Sequence, residues 1–381
     1  MNKKKVLFII PEYSHGGTNK SLENLLSLID KQKYEISVYS LYEDGGLYYK
    51  DVLKPYIIKK SKLYNYVHDN FYTRKICGLW HKINKEADFS WLYKKEAKWL
   101  QDKYIFDVVI AYQEGTATEF ASYFENVRKI AWIHCMYSRM ASAGTPADIK
   151  MYQKFNNIIC VSKTAVNDFI SLIPECKGKA LSIYNTLNVD KIKSMSKDII
   201  NDNIYNTRVS HFNIISIGRF AKGKQFEKIP QLSNEIKKLV TKRFIWYIIG
   251  AGCQMQEQTK EEIKKYNLED VVKILEAKDN PYPYFKNADL HICTSDSESF
   301  SYTIFESKIL HTPVVSNNFP VANEVVEKDC GWVCSLEEMP DLLVEIINDE
   351  NGIYTKMKES ISSYEYSNDD IIRKVEKLLD N

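Results

Sequence analysis

The sequence predicts an α/β protein with two Rossmann-like domains that face each other across a cleft. Two series of short apolar strand candidates alternate with helix-length segments, as in doubly wound parallel sheets. A polar stretch with little amphipathic order, residues 191–210, separates the two series and is predicted to be a linker. The length of 381 residues also exceeds what one hydrophobic core usually supports. Two domains are therefore expected.

The strands can be placed from the apolar runs. The first series is Lys5–Ile10, Tyr34–Leu41, Phe106–Tyr112, Lys129–His134, Asn157–Val161 and Ala180–Tyr184. The second series is Phe212–Ile217, Phe244–Gly250, Val271–Leu275, Asp289–Cys293, Pro313–Ser316 and Gly331–Cys334. The predicted domains are 1–190 and 211–355, with the linker 191–210 between them and a helical segment 356–381 at the end. Ligands of open α/β sheets bind at the strands' carboxyl ends, which would line the cleft.

Composition excludes several other classes of protein. A formal net charge of +2 gives no broad basic surface for nucleic acid, and no nucleic-acid-binding motif is present. The eight cysteines are scattered, and Cys330 and Cys334 lack matching histidines, so free thiols of a reducing cytoplasm are expected rather than zinc ligands. The apolar run Val6–Ile10 is too short for a signal peptide or a membrane span.

The pair Glu298 and Glu306 is the most informative motif. A buried strand and a polar loop precede Glu298, and Glu306 lies about one turn into the predicted helix 302–310. The unpaired amides at that helix start would bind an anion, and the two carboxylates could accept hydrogen bonds from hydroxyl groups. The amides belong to Phe300, Ser301, Tyr302 and Thr303. The spacing alone is a weak signal because Glu is common, but together these features fit a nucleotide-diphosphate sugar.

Four further features follow predicted strands. Gly218 and Arg219 leave one strand, and Lys224 starts the next helix, so the two cations could converge on a diphosphate. The alternative is that both are ordinary surface charges. Lys222 is a less favoured candidate than Lys224 for the same role. Gly16 and Gly17 precede a helix start, where they admit a ligand or simply form a tight turn. His134 ends an apolar strand, as many structural histidines do. Gly250 and Gly252 form a G-x-G turn, itself weak support for nucleotide binding.

The passage YPYFKNADLHICTSDSESF through FESKILHTPVV resembles the retaining glycosyltransferases of family 4, which have a GT-B fold. The resemblance implies that Glu298 contacts the donor sugar and that Glu306 contacts the ribose. Arg219 and Lys224 match the family's GR-x4-K pattern, and His134 matches a histidine that reaches the donor sugar. The glycines 16, 17, 250 and 252 match glycines near the ligands. The last helix would pack back onto the first domain.

The chain departs from the family pattern at several positions. Ser299 and Ser301 replace glycines in the family's E-G-F-G motif, which leaves the size of the sugar pocket open. Cys135 replaces an aspartate that commonly follows the histidine, so His134 lacks an obvious orienting neighbour. In the turn 184–188, Thr186 and Asn188 replace Pro and Asp, and we expect that turn to be structural.

The resemblance implies a hexosyltransferase-type enzyme that moves a sugar with retention from a nucleotide donor, with a UDP-sugar favoured, to a hydroxyl of a growing, lipid-linked surface glycan. Neither a cofactor nor a metal is expected, because the diphosphate has cations and helix amides to bind it and no Asp-x-Asp motif occurs. Two alternatives stay open: a non-catalytic glycosyltransferase-like partner protein, which the departures would suit, and a nucleotide-sugar epimerase.

Residues 59–104 form a basic aromatic segment. It holds eleven Lys and Arg, five acids and ten aromatic residues, for a local net charge of +6. Such a segment could dock on anionic lipid headgroups and present a lipid-linked acceptor. An amphipathic helical insertion with core aromatics and solvated lysines explains the composition equally well. We expect a cytoplasmic protein, and membrane docking would place it at the inner face of the cell membrane.

Overall fold

The computed structural model describes residues 2–13, 16–42, 47–68, 90–142, 149–200, 204, 211–252 and 254–381. The chain forms two compact units. Unit 1 consists of Met1–Leu187 together with Asn368–Asn381, and unit 2 consists of Asn188–Ser367.

Unit 1 contains a six-stranded parallel sheet in the order β2-β1-β3-β4-β5-β6. Its strands are β1 Lys4–Ile10, β2 Tyr34–Ser40, β3 Val108–Ala111, β4 Arg128–Ile133, β5 Asn157–Cys160 and β6 Ala180–Ser182. Its helices among the described residues are α1 Gly17–Leu28, α2 Leu47–Leu53, α3 Lys62–His68, α4 Ser90–Lys103, α5 Thr116–Ser122, α6 Tyr137–Ser142, α7 Ile149–Gln153, α8 Lys163–Leu172 and the last helix of the chain, Asp369–Asp380.

Unit 2 contains a second parallel sheet in the order β12-β11-β10-β7-β8-β9. Its strands are β7 Phe212–Ile217, β8 Phe244–Ile249, β9 Val272–Leu275, β10 Leu290–Cys293, β11 Val314–Asn317 and β12 Gly331–Cys334. Its helices among the described residues are α9 Val189–Met195, α10 Ile229–Ile236, α11 Gln254–Lys265, α12 Tyr282–Asn287, α13 Tyr302–Ile309, α14 Ala322–Val326, α15 Met339–Asn348 and α16 Ile353–Ile361. Asp369–Asp380 is therefore α17.

The burial of the strands agrees with the parallel arrangement of both sheets. Val6–Ile10 of β1 are fully buried, as is Trp246 of β8. Continuous apolar runs of this kind occur where helices cover both faces of a sheet. The α/β prediction is confirmed, and every predicted strand lies within two residues of an observed one.

The limits of the two units differ from the predicted domain limits. Helix α9 overlaps the start of the 191–210 stretch, and Asn188 caps it by accepting a hydrogen bond from the Lys191 amide at 3.0 Å. Residues 201–203 and 205–210 lie outside the described residues. Helix α17 belongs to unit 1, where Tyr34 donates a hydrogen bond to the Asp380 carboxylate at 2.7 Å.

Candidate functional site

Two neighbouring strands of unit 2, β7 and β10, bring the predicted cationic and acidic residues together. Because the strands are parallel and adjacent, the loops that follow them leave the same edge of the sheet. Thr294 donates a hydrogen bond to the Lys224 carbonyl at 2.6 Å, and the Asp296 amide donates to the Gly223 carbonyl at 3.0 Å. The turn that carries Lys224 is thus attached to the loop that carries Glu298.

Lys224 and Glu298 form an ion pair in this loop cluster. The Lys224 Nζ lies 2.5 Å from Glu298 Oε1, and the Ser295 hydroxyl donates to the same oxygen at 2.8 Å. Their side chains are 28% and 14% exposed. The pKa of Lys224 is raised: burial alone would lower it, and the Glu298 carboxylate more than offsets that burial. Arg219 is exposed, and its charge acts to lower the pKa of Lys224, so both predicted cations lie in one region.

The glycines after β7 and β8 have a packing role. A Cβ at Gly250 would lie 1.9 Å from the Gly218 carbonyl oxygen, and a Cβ at Gly252 would lie 2.7 Å from the Phe220 carbonyl oxygen. Contacts that short do not occur, so a side chain would displace the loop that leads to Lys224. Gly218 itself is less constrained, since its nearest neighbour would be the Phe226 ring at 3.3 Å.

Helix α13 begins in this loop cluster. Its N-cap, Ser301, has φ +62° and ψ +84°, a left-handed conformation that favours glycine. Phe300 is buried and stacks on Phe305 with ring centroids 4.4 Å apart. Tyr302 and Thr303 form the first turn and are partly exposed. The serine that departs from the family's E-G-F-G motif therefore occupies a backbone conformation in which glycine would be unstrained.

Glu306 lies on α13 and is 2% exposed. The Tyr282 hydroxyl donates a hydrogen bond to Glu306 Oε1 at 3.3 Å. Tyr282 starts helix α12, the first helix after β9. A buried carboxylate with an aromatic hydroxyl beside it can accept hydrogen bonds from a diol.

His134 follows β4 in unit 1 among aromatic side chains. Its ring lies 4.9 Å from the Tyr112 ring and is stacked on Trp132 at 6.4 Å, centroid to centroid. Its backbone amide donates to Glu114 Oε2 at 2.8 Å. Burial lowers the pKa of His134 to about 3, so the imidazole is neutral at physiological pH. Of these neighbours, Tyr112 and Glu114 follow β3, the strand adjacent to β4, and Trp132 lies on β4 itself.

Gly16 is the N-cap of α1 and has an extended backbone. A Cβ there would meet nothing within 4 Å in the described part of the chain, so no described neighbour requires glycine. Gly17 is the first residue of the helix, and His15 lies outside the described residues.

The turn 184–188 has structural contacts: Ser21 donates to the side-chain oxygen of Asn185 at 2.7 Å, and Asn24 donates to the Thr186 carbonyl at 3.1 Å.

The described parts of the basic aromatic segment, residues 59–68 and 90–104, line a groove of about 960 Å³ in unit 1. Apolar side chains contribute to the groove, including Ile58, Leu92 and Trp99. Six lysines also line it: Lys50, Lys59, Lys60, Lys62, Lys95 and Lys103. Residues 69–89, including Trp80, lie outside the described residues. Within the described ranges, no helix has the length and apolar character needed to cross a bilayer.

Several site residues were not predicted from the sequence. Thr294 and Ser295 hold Lys224 and Glu298, Asn317 donates to the Ser295 carbonyl at 2.9 Å, and Glu114 binds the His134 amide. Small hydroxyl residues after a buried strand were the available signal for the first two. Where the structure describes the chain, no cluster of three or more His, Cys, Asp or Glu could hold a metal ion.

Comparison with known proteins shows what the chain is similar to. Residues 200–381 match the family model of glycosyl transferases group 1. The whole chain is similar in fold to Anabaena HepE, solved in complex with UDP-glucose, with a TM-score of 0.74, 15% identity and 99% of each chain covered. The predicted GT-B fold is thereby confirmed.

Two curated relatives match part of the chain. An uncharacterized glycosyltransferase of Methanocaldococcus jannaschii is 26% identical over 171 residues, 44% of this chain and 41% of the relative. A Campylobacter jejuni enzyme is 26% identical over 232 residues, 60% of this chain and 55% of the relative. Its name is N-acetylgalactosamine-N,N'-diacetylbacillosaminyl-diphospho-undecaprenol 4-alpha-N-acetylgalactosaminyltransferase. The matches thus span about half the length of these relatives.

Proposed function

We propose that the chain is a retaining, metal-independent, hexosyltransferase-type glycosyltransferase of family 4, with its donor site at the carboxyl edge of the unit 2 sheet. The observation that carries the proposal is the Lys224–Glu298 pair beside the start of α13, with the buried Glu306 on the same helix. This arrangement offers cations and helix amides to a diphosphate and carboxylates to sugar and ribose hydroxyls.

The donor can bind without breaking the Lys224–Glu298 pair. We assign Lys224 and Arg219 to the diphosphate and Glu298 to hydroxyls of the donor sugar. A carboxylate has about four acceptor positions, and Ser295 and Lys224 both bind Glu298 Oε1, so Oε2 can accept from a sugar. The Lys224 ammonium has three donors, so it can bind a phosphate oxygen while it keeps Glu298. Glu306 is assigned to the ribose diol.

The reaction is a substitution at the anomeric carbon. The acceptor hydroxyl forms a bond to that carbon on the face from which the nucleotide departs, while the bond between the carbon and the phosphate oxygen breaks. The departing phosphate takes the hydroxyl proton, so no side-chain base is required. Negative charge grows on the diphosphate as the bond breaks, and Arg219, Lys224 and the amides of residues 300–303 stabilise it. In unit 1 we assign the neutral imidazole of His134 to a sugar hydroxyl.

The comparisons and the groove in unit 1 support particular classes of donor and acceptor. A UDP-hexose is favoured because the similar fold of HepE was solved with UDP-glucose. The Campylobacter jejuni relative's name specifies an acceptor linked to a diphospho-lipid, which supports a lipid-linked surface glycan here. The lysine-lined groove in unit 1 supports peripheral contact with anionic lipid, because its lining acid, Glu96, is buried and accepts hydrogen bonds from Tyr39 and the Ser61 amide.

Nucleotide release tests the proposed activity. A thermal-shift screen of nucleotide-sugars first selects the donor, and UDP release is then measured with and without a glycan acceptor in excess EDTA. The proposal predicts release that rises with acceptor and persists in EDTA. A non-catalytic partner protein would release no UDP, and an epimerase would convert the sugar while releasing little. Activity that requires added Mg²⁺ or Mn²⁺ would contradict the metal-independent mechanism.

A further inference from the structure

Lys308 is a fully buried lysine in the last turn of helix α13, the helix of the proposed donor site. Its Nζ donates hydrogen bonds to the Val325 carbonyl at 2.8 Å and to Glu327 Oε1 at 2.6 Å. The Lys308 side chain is 0% exposed, whereas Glu327 is 51% exposed. Val325 lies in α14 and Glu327 follows it, so the ammonium joins α13 to the end of α14.

Two aromatic rings complete the surroundings of this ammonium. The Lys308 Nζ lies 4.7 Å from the centroid of the Phe305 ring and 4.4 Å from that of Tyr364. Both distances are within the range of cation–π attraction, which is stronger away from water. Tyr364 lies after α16, so the ammonium contacts three separate segments of unit 2: α13, the end of α14 and the stretch that follows α16.

The ring of Phe305 connects Lys308 to the loop that carries the donor-binding groups. Phe305 is stacked on Phe300 with ring planes 19° apart, and Phe300 lies two residues after Glu298. Glu306 and Lys308 project from different sides of α13, because two residues correspond to about 200° of helical rotation. The donor-facing side of the helix is therefore distinct from the side that Lys308 anchors.

A buried ammonium is a costly way to fill space. Burial lowers the pKa of Lys308, and the Glu327 carboxylate opposes that effect. An apolar side chain of similar length would pack without this penalty, so stability alone does not explain the charge. Directional hydrogen bonds to two fixed partners do restrict where α13 can lie, which an apolar side chain would not do.

We propose that Lys308 is a positioning residue of the donor site, which holds α13 and the 298–301 loop in the geometry that binds the nucleotide diphosphate. This inference rests on the proposed function, since it assumes that α13 binds the donor. Lys308 does not touch the donor; it acts through Phe305 and Phe300.

Lys308→Met tests the proposal because methionine fills the space of the lysine stem but has no charge. We expect the Kd for UDP, and the KM for the donor, to rise on the order of tenfold. Tyr364→Phe keeps the ring and should match wild type, whereas Tyr364→Leu should behave like Lys308→Met. Lys328→Met, at an exposed lysine next to Glu327, is the matched control.

UDP affinity is measured by titration calorimetry on folded protein, and thermal melting is recorded in parallel. A folded Lys308→Met that melts earlier but binds UDP as tightly as wild type would overturn the proposal, because the lysine would then be structural only. If Lys308→Met fails to fold, Glu327→Gln provides the same test with the exposed partner, and unchanged UDP affinity in that variant would overturn the proposal. Wild-type protein that binds no nucleotide would instead refute the proposed function.

Discussion

Lys224→Met is the most informative perturbation of the donor site. It removes an ammonium that lies 2.5 Å from Glu298 Oε1 and keeps most of the apolar stem. The variant therefore separates two effects of the same charge: stabilisation of the departing diphosphate and neutralisation of the Glu298 carboxylate.

The expected effect on turnover follows from the charge that develops on the diphosphate. Removing one preorganised group of this kind costs about 10²-fold to 10³-fold in kcat, or roughly 3–4 kcal/mol of barrier. The expected effect on folding is smaller. Exposed ion pairs contribute about 0–1 kcal/mol, and breaking buried ones costs about 3–5 kcal/mol. With side chains 28% and 14% exposed and Ser295 still bound to Glu298, we expect an intermediate loss of about 1–2 kcal/mol.

The assay is UDP release in the presence of acceptor, with denaturant unfolding as the measure of stability. Lys222→Met is the matched control, because Lys222 is an exposed lysine of the same turn. A second change, Glu298→Gln, in the Lys224→Met background should restore stability but not turnover. Turnover near the wild-type level in Lys224→Met, or an equal loss in Lys222→Met, would refute the placement of the diphosphate.

Three further predictions concern other parts of the molecule. Glu306→Gln should weaken UDP binding by about 1–3 kcal/mol, because the ribose loses a good acceptor, whereas Glu298→Gln should mainly lower kcat; equal effects on UDP affinity alone would contradict this division. His134, with its pKa lowered to about 3, takes up its proton more readily in the unfolded chain, so stability should fall as pH drops from about 6.5 toward 3. The melting temperature of His134→Asn should fall less than that of wild type over this pH range. An identical pH dependence of the two proteins would count against a neutral, buried His134. Anionic liposomes should bind wild-type protein at low salt, and binding should be lost when the groove lysines Lys59, Lys95 and Lys103 are replaced by Glu. Replacing Lys94 and Lys98, which are exposed on α4 but do not line the groove, should weaken liposome binding less. Wild-type protein that never binds liposomes would contradict membrane docking and favour the interpretation of this segment as a helical insertion.

The fold was predictable because local apolar runs determine where strands of a buried parallel sheet lie. The predicted strand ends were less accurate. Phe106 was expected to start the third strand, but β3 begins at Val108. Asp107 is joined to β1 by two hydrogen bonds: its amide donates to the Lys5 carbonyl at 2.9 Å, and its carboxylate accepts from the Lys5 amide at 2.7 Å. Helix α9 was placed in a linker because its apolar pattern is short, although Asn188 followed by Asp190 is a recognisable helix start.

The sequence motifs point to individual residues of the proposed site, but not to the contacts between them. Lys224 and Glu298 are 74 positions apart, and their pairing depends on β7 lying next to β10, which the sequence pattern does not specify. The contact of the His134 backbone amide with Glu114, which follows β3, depends on β3 lying next to β4 in the same way. The sequence does not mark Lys308 as buried, because its burial depends on the positions of Val325, Glu327 and Tyr364 in the fold.

The anomeric configuration of the product tests the central claim most directly. Wild-type enzyme is incubated in excess EDTA with an acceptor and the donor that the thermal-shift screen selects, and the purified product is examined by NMR spectroscopy. The proposed mechanism predicts a new glycosidic bond with the same anomeric configuration as in the nucleotide-sugar. A product of opposite configuration, or free sugar with no glycosidic bond formed, would contradict it.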